Sequence, residues 1–291
     1  MTVARAAALL ALVAAPFALV LSGCDQTSDG STGDPPTTPD PDVLGNGDRL
    51  REVIGPATWF EPGNIESAGC KAPSDHQANV TGQTIVAIDR FDETGEGALG
   101  NMYIQDYTEP GDSPPPYSGV TVFAPSFTPP DLRLFEGDVV DTFGNVQEFL
   151  GPSSGLFGEC KSLPEISGTM TFRFDGHVPE PLTVVQLNGG ADRWKPILGY
   201  EQARQYLGML VRIEGVIIAG NPSESKGRLN ATIDMGGGIS ADDVIKISNE
   251  LYDIKNEGPT LQGAQFQSVT GILTFFYGFH IAPRSPDDFE M

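Results

Sequence analysis

The three histidines are the first residues to weigh as catalytic bases or metal ligands. His76 lies in a polar loop, His177 in a turn flanked by Gly and Pro, and His280 between apolar residues in "YGFHIAP". No HExxH motif, no paired histidine spacing and no GxSxG sequence accompanies them. The sequence therefore argues against zinc chemistry and against histidine-based catalysis.

Carboxylate pairs are the second possible source of chemistry. Acids are concentrated at Asp242–Asp243, at Asp287–Asp288 and in the Gly-rich stretch 92–101, "DETGEGALGN". Calcium loops place their ligands at fixed alternating positions, and none of these stretches has that spacing. We therefore expect solvated acidic turns, with no cofactor and no bound metal. An enzyme that uses a carboxylate or calcium site is the weaker alternative.

Basic residues are scarce and unevenly placed. Among 291 residues, 39 acids stand against 17 bases, which gives a formal net charge of −22. Such a charge repels phosphate backbones and anionic lipid heads. Residues 80–182 hold 16 acids and 4 bases, a net charge of −12, whereas residues 183–291 hold 13 acids and 9 bases, a net charge of −4. Any contact with a polyanion is therefore expected in the second half.

Four residues of that second half form a candidate polyanion face: Trp194, Arg212, Arg228 and Lys246. The three cations lie on or beside strand-like segments, and the tryptophan stands between an arginine and a lysine. Cations neutralise phosphates, and an indole ring can stack on a nucleobase. A solvated face of mixed charge is the alternative interpretation.

The first 24 residues read "MTVARAAALLALVAAPFALVLSGC". One arginine precedes an apolar run at 6–21, which is shorter than the about 20 residues that span a bilayer and is typical of a signal peptide. Residues 21–24, "LSGC", resemble the lipobox of bacterial lipoproteins. The resemblance implies removal of residues 1–23, a lipid on Cys24, and a place in the bacterial cell envelope, on the periplasmic side of a membrane or at the cell surface. An ordinary cleaved signal peptide is the alternative.

Residues 24–48 form an Asp- and Pro-rich segment without a basic residue. Its charges repel each other and it has little apolar surface to bury, so we expect a disordered tether.

With Cys24 assigned to lipid, Cys70 and Cys160 are the two cysteines left, in an exported chain that meets an oxidising environment. We predict a disulfide between them, with two reduced, buried cysteines as the alternative.

Short strands separated by turns dominate the rest of the chain, as its 35 Gly and 24 Pro suggest. In "GNMYIQD" (100–106), Met102 and Ile104 alternate with Tyr103 and Gln105, which predicts a core side and an outer side. Gly144 is expected at a bulge in a long strand. The predicted strands of the first block are 84–91, 101–106, 119–125, 134–151 and 165–176. The second block is predicted to have a helix at 199–208, ended by Gly208, and strands at 209–220, 227–235, 242–251 and 266–283.

Three stretches in a fixed order resemble OB-fold domains of secreted bacterial proteins: "YIQD" (103–106), "GVTVF" (119–123) and "EGDVVDTFGNVQEF" (136–149). The second block resembles the companion repeat of these domains in two stretches, "YLGMLVRIEGVII" (206–218) and "GILTFFYGFHIAPRSPDDF" (271–289). Such repeats often accompany nuclease or phosphatase domains. The resemblance implies an all-β protein with two OB-fold-like five-stranded barrels in tandem and a short helix. One barrel, with an N-terminal loop segment, would occupy 49–182 and the other 183–291; a β-sandwich is the rival fold.

The ligand surface of an OB fold is generally the face of its strands 2 and 3. In the first block that face would hold Tyr103, Gln105, Thr121 and Phe123, rimmed by acids that repel phosphate. We therefore expect a non-catalytic binding or scaffold protein, held at a membrane by the lipid on Cys24. Its partner in the cell envelope would be a protein, a peptide or a saccharide. The alternative is an accessory binder of extracellular nucleic acid that uses the second block.

Overall fold

The computed structural model describes residues 47–55, 75–97, 99–109, 111–123, 134–157, 161–178, 182–188, 194, 197–237, 239 and 243–291. These residues all belong to one compact unit, 36–291. The predicted signal peptide, Cys24, nearly all of the tether and the Cys70–Cys160 disulfide lie outside the described residues, so they stay predictions. Within the described part of the chain, no helix is both long enough and apolar enough to span a membrane.

Five strands close into a barrel, which we call the first barrel. Its strand order is β1-β2-β3-β5-β4, with β1 paired to β4 and with β3 and β5 parallel. A short helix, α1 (Leu50–Ile54), packs its apolar side chains into the core of this barrel. The strands are β1 (His76–Ile88), β2 (Met102–Asp106), β3 (Gly119–Val122), β4 (Asp138–Phe149) and β5 (Leu163–His177).

The remaining strands form a second sheet in the order β6-β7-β11-β12-β10-β9-β8, with β13 paired to β11. These strands are β6 (Val185–Gln186), β7 (Leu210–Ile217), β8 (Ser223–Ser225), β9 (Arg228–Thr232), β10 (Lys246–Ser248), β11 (Gln265–Phe275), β12 (Phe279–Ala282) and β13 (Phe289–Glu290). The helices of this half are α2 (Tyr200–Arg204), α3 (Ile254–Glu257) and a 3₁₀ turn at Pro286–Asp288.

The second sheet repeats the topology of the first. A bridge between Ile218 and Ile233 joins the ends of β7 and β9, and the Ala219 N–H donates to the Thr232 carbonyl at 2.8 Å. The ring is then β7-β9-β10-β12-β11, in which β10 and β12 are parallel. We call this ring the second barrel. The prediction of an all-β protein is confirmed, and the closed first barrel excludes a β-sandwich for the first block. The second block has the same strand order, joined through the Ile218–Ile233 bridge.

The alternation of side chains along β2 explains how these strands form a core. Met102 and Ile104 are buried inside the first barrel, as predicted, whereas Tyr103 belongs to a different apolar cluster outside it. The predicted irregularity in β4 is also present, because the pairing with β5 shifts between Phe143 and Asn145, on either side of Gly144. Gly208 ends the turn after α2 with a φ of 75°, which favours glycine.

Candidate ligand-binding cleft

The outer face of β2 and β3 in the first barrel is covered by the second barrel. The Tyr103 hydroxyl donates to Glu250 Oε1 at 2.7 Å, and its ring packs in an apolar cluster that includes Leu210 and Ile272. Gln105 Oε1 accepts from the Leu210 N–H at 3.0 Å, and its amide donates to the Thr183 carbonyl at 3.2 Å. The first barrel therefore holds the second one through this face.

This burial corrects the expectation that the face is open to a ligand. Tyr103, Gln105 and Thr121 are only 1%, 2% and 3% exposed. The side chains of Tyr103 and Gln105 are taken up by intramolecular contacts, because residues more than 70 positions further along the chain fold back onto them. Phe123 is the exception, with 45% of its surface exposed at the edge of the junction.

The corresponding face of the second barrel is open and forms a cleft of about 660 Å³. Strands β9 and β10 take the positions of strands 2 and 3 in this barrel, and the β8–β9 hairpin and the β11–β12 turn flank them. These are the elements that carry ligands in OB folds. The cleft is lined from the second barrel by Ser225, Lys226, Arg228, Asn230, Lys246, Ser248, Asn249, Glu250, Phe276, Tyr277 and His280.

Two loops of the first barrel complete the cleft. Loop 92–97 is shaped by Asp92, which accepts hydrogen bonds from the Thr94 hydroxyl at 3.0 Å and from the Gly97 N–H at 2.7 Å. It brings Glu93, Thr94 and Glu96 to the wall of the cleft, and the segment after β4 adds Pro152 and Ser154. The acidic stretch predicted as a solvated turn is thus partly a structural wall, because Glu93 is buried.

Several residues of the cleft wall carry polar side chains. Ser248 Oγ is buried and has no hydrogen-bond partner among the described residues. Lys246 and His280 lie side by side on the parallel strands β10 and β12. Burial, with the charges of Lys246 and Arg228, lowers the pKa of His280 to about 3. His280 is therefore a neutral imidazole near neutral pH, with one donor and one acceptor nitrogen.

An ion pair in the wall of the cleft joins the two barrels. Arg228 Nε donates to Glu93 Oε1 at 2.9 Å, and the Arg228 guanidinium lies 4.4 Å from the centre of the Phe276 ring. Burial raises the pKa of Glu93, and the charge of Arg228 opposes that rise. Arg228 is therefore held by a carboxylate and an aromatic ring, in a place where its charge is already largely compensated.

The predicted polyanion face is only partly assembled. Arg228 and Lys246 both line the cleft. Trp194 is 8% exposed and belongs to the core of the second barrel, so its indole ring is not open to stacking on a ligand. Arg212 pairs with Glu290 on the strands β7 and β13, outside the residues that line the cleft. The four residues therefore do not form one surface.

The part of the chain that the structure describes contains no group of three His, Cys, Asp or Glu side chains placed to hold a metal ion.

The sequence-based prediction missed several cleft residues, above all Glu250, Ser248 and Asn230. The signal that could have found them is topological, because they lie on β9, on β10 or directly after it, where the OB-fold rule places ligands.

Compared with known proteins, the chain matches no protein-family description and no curated protein.

Proposed function

We propose that this chain is a ligand-binding protein whose site is the cleft on the second barrel. The proposal rests on position, because a cleft of about 660 Å³ coincides with the strands and loops that bind ligands in OB folds. The same face of the first barrel is buried, so the second barrel is the one with an open ligand face.

The charges and polar groups of the cleft favour a saccharide or a short peptide segment as the ligand. Three acids, Glu93, Glu96 and Glu250, stand against Lys226, Arg228 and Lys246, so the lining carries no large net charge. Neutral donors and acceptors from Asn230, Ser248 and His280 accompany them, and Tyr277 is half exposed at the rim. Balanced charge with aromatic and hydroxyl groups suits an uncharged or zwitterionic ligand better than a polyanion.

The sequence of the N-terminus supports a place for this binding site at the cell envelope. The "LSGC" motif and the Asp- and Pro-rich segment after it suggest a lipid on Cys24 and a tether that holds the barrels away from a membrane. Cys24→Ser would then release the protein from the membrane fraction into the soluble fraction. Unchanged membrane association of Cys24→Ser would contradict the lipid anchor.

Binding to glycan and peptide arrays tests the proposed function. We expect the purified protein to select a set of related saccharides or peptides, and calorimetry then measures the affinity of the strongest ligand. Lys246→Ala is expected to weaken that affinity by about tenfold, because a hydrogen bond to a charged group is lost. Arg212→Ala is the matched control, since this cation lies outside the cleft lining and should leave the affinity unchanged.

Two results would contradict the proposal. One is equal weakening by Lys246→Ala and Arg212→Ala, which would mean that the ligand is held by overall charge. The other is tight binding of a single-stranded oligonucleotide that falls steeply with salt, which would favour the nucleic-acid alternative. The acids of the cleft wall, Glu93 and Glu96, are the reason why we expect oligonucleotides to bind weakly.

A further inference from the structure

A second, smaller cavity of about 310 Å³ lies beside the cleft, between loop 92–97 and the second barrel. It shares three wall residues with the cleft, namely Glu93, Arg228 and Glu250. Its other walls come from the first barrel: Asp89, Gly97, Leu99, Asn101 and Phe123. Nothing in the proposed function of the cleft requires this cavity, so its role is a separate question.

The charged groups of the cavity are mostly acids. Asp89, Glu93 and Glu250 contribute three carboxyl groups, and Arg228 is the cation that lines the cavity with them. Asp89 is 3% exposed, and its Oδ1 accepts from the Phe91 N–H at 3.2 Å. Burial, with the charge of Glu250, raises the pKa of Asp89 to about 8. The cavity therefore carries more potential negative charge than the protein itself neutralises.

Two residues of the cavity wall carry buried acceptor oxygens with no hydrogen-bond donor among the described residues. Glu93 is 8% exposed, and while its Oε1 accepts from Arg228, its Oε2 has no hydrogen-bond partner among the described residues. Asn101 Oδ1 is likewise buried without a partner in that part of the chain. A buried acceptor without a donor costs about 1–3 kcal/mol, so both oxygens favour a ligand that brings N–H groups.

The rest of the wall is apolar and exposed. Phe123 and Leu99 are 45% and 39% exposed, although both are large hydrophobic side chains. An aromatic ring attracts a cation over its face, and an aliphatic side chain packs against an alkyl arm. The acids are not placed as metal ligands among the described residues, and a cavity of about 310 Å³ is much larger than an inorganic ion needs.

We propose that this cavity binds an organic cation, namely a primary ammonium group carried on a short apolar arm. The ammonium donates to Glu93 Oε2 and Asn101 Oδ1 and lies beside the carboxyl groups of Asp89 and Glu250. The apolar arm covers Phe123 and Leu99. The proposal goes beyond the cleft and does not rest on it, because Asp89, Asn101 and Phe123 line the cavity and not the cleft.

Calorimetric titration with n-butylammonium chloride tests the proposal, with n-butanol as the uncharged analogue of the same shape. We expect saturable binding of n-butylammonium and no measurable binding of n-butanol. Phe123→Ala should weaken the binding about threefold to tenfold through loss of the cation–π contact. Phe135→Ala is the matched control, because Phe135 is similarly exposed and lies outside the cavity, and it should leave binding unchanged.

The pH dependence of the binding is a second readout. Asp89 faces the carboxyl groups of Glu250, Glu93 and Asp92 and shares the cavity wall with the Arg228 guanidinium. Because the pKa of Asp89 is about 8, raising the pH from 7 to 9 ionises it and should tighten binding of an alkylammonium, which stays protonated over this range. Asp89→Asn should bind more weakly at pH 9 and lose this pH dependence.

Three outcomes would overturn the proposal. Equal binding of n-butanol and n-butylammonium would show an apolar pocket without cation selectivity. Equal effects of Phe123→Ala and Phe135→Ala would place the bound amine elsewhere. Tight binding of Ca²⁺ in the absence of amine binding would make the acids a metal site. None of these outcomes bears on the cleft, whose affinity for its array ligand is measured with Lys246→Ala.

Discussion

At the residue scale, burial decides the charge of two side chains: Asp89 in the wall of the smaller cavity and His280 in the wall of the cleft. It raises the pKa of Asp89 to about 8 and lowers the pKa of His280 to about 3. Neighbouring charges act in the same direction, Glu250 on Asp89 and Lys246 on His280. Both side chains are therefore uncharged near neutral pH, and each offers hydrogen bonds without a full charge.

The raised pKa of Asp89 predicts a pH-dependent stability. The unfolded chain releases this proton above about pH 3.8, whereas the folded protein keeps it until about pH 8. The folded state therefore binds more protons over this window, and the free energy of unfolding falls as the pH rises through it. Asp89→Asn keeps an oxygen acceptor for the Phe91 N–H and removes this loss. We expect it to raise the free energy of unfolding by an amount that grows from pH 5 to pH 8.

Urea unfolding of Asp89→Asn and of the unmodified protein at four pH values between 5 and 8 measures this effect. Asp112→Asn is the control, because Asp112 is exposed and should show no gain that grows with pH. A gain for Asp89→Asn that is constant with pH, or a loss at pH 8, would contradict the burial of a neutral carboxyl group.

The residue scale also shows what a sequence pattern can and cannot predict. The alternation in "GNMYIQD" predicts which side chains of β2 enter the core, and Met102 and Ile104 are found there. It cannot predict what covers the outer side chains, because that depends on distant residues. Glu250, which accepts from Tyr103, is 147 positions away, and Leu210, which donates to Gln105, is 105 positions away.

At the scale of elements, the β8–β9 hairpin and loop 92–97 together build the wall between the cleft and the smaller cavity. Gly227, at the tip of the hairpin, has a φ of +83°, and a Cβ at this position would lie 1.9 Å from the Glu93 carbonyl oxygen. A side chain there would push the two elements apart. Arg228, the next residue after Gly227, pairs with Glu93. This ion pair depends on the same close approach of the hairpin to loop 92–97.

Gly227→Ala is therefore expected to open this wall and to weaken ligand binding in the cleft. Gly220→Ala is a matched control, because Gly220 has a φ of +77° with nothing within 4 Å of its Cβ position. Both variants should lose about 1–2 kcal/mol through left-handed backbone strain. Gly227→Ala should lose more and should also weaken the affinity for the array ligand, which calorimetry measures. Equal losses of stability and unchanged affinity in both variants would contradict the close contact.

The sequence predicts the elements better than it predicts the site. Strands β7, β9 and β10 lie within predicted strand segments, because alternating apolar residues and glycines mark them. The segment 266–283, predicted as one strand, is divided by a turn into β11, which begins at Gln265, and β12. OB folds generally bind ligands on strands 2 and 3, and the sequence led us to apply this rule to the first block, whose motifs are easier to recognise. In the structure the second barrel covers that face of the first barrel, and the open face is the corresponding one on β9 and β10.

At the scale of the whole molecule, two barrels of equal topology have different roles. The first barrel holds the second one through its β2–β3 face and supplies two walls of the cleft, and the second barrel presents the open face. A buried ion pair also links the two barrels, between Arg204 at the end of α2 and Glu148 on β4. Burial raises the pKa of Glu148, and the charge of Arg204 opposes the rise.

Breaking this pair should destabilise the whole unit. Arg204→Met leaves the Glu148 carboxylate buried without its cation, which costs about 3–5 kcal/mol. The double variant Arg204→Met with Glu148→Leu removes both charges, and we expect it to recover most of that loss. Urea unfolding at pH 7 measures both free energies. Lys255→Met, which breaks the exposed pair with Glu224, is the control and should cost far less stability than Arg204→Met, because solvent screens an exposed pair. A double variant no more stable than Arg204→Met would contradict a buried charge pair at the junction.

The open face of the second barrel is the ligand site that we propose. Mapping of amide chemical shifts in the ¹⁵N-labelled protein, titrated with the saccharide or peptide selected on the arrays, tests it most directly. We predict that the largest shifts fall on β9, β10, the β11–β12 turn and loop 92–97, with little change at the buried Tyr103 and Gln105. Shifts concentrated around Arg212 and β13, or spread over the first barrel away from loop 92–97, would contradict the claim.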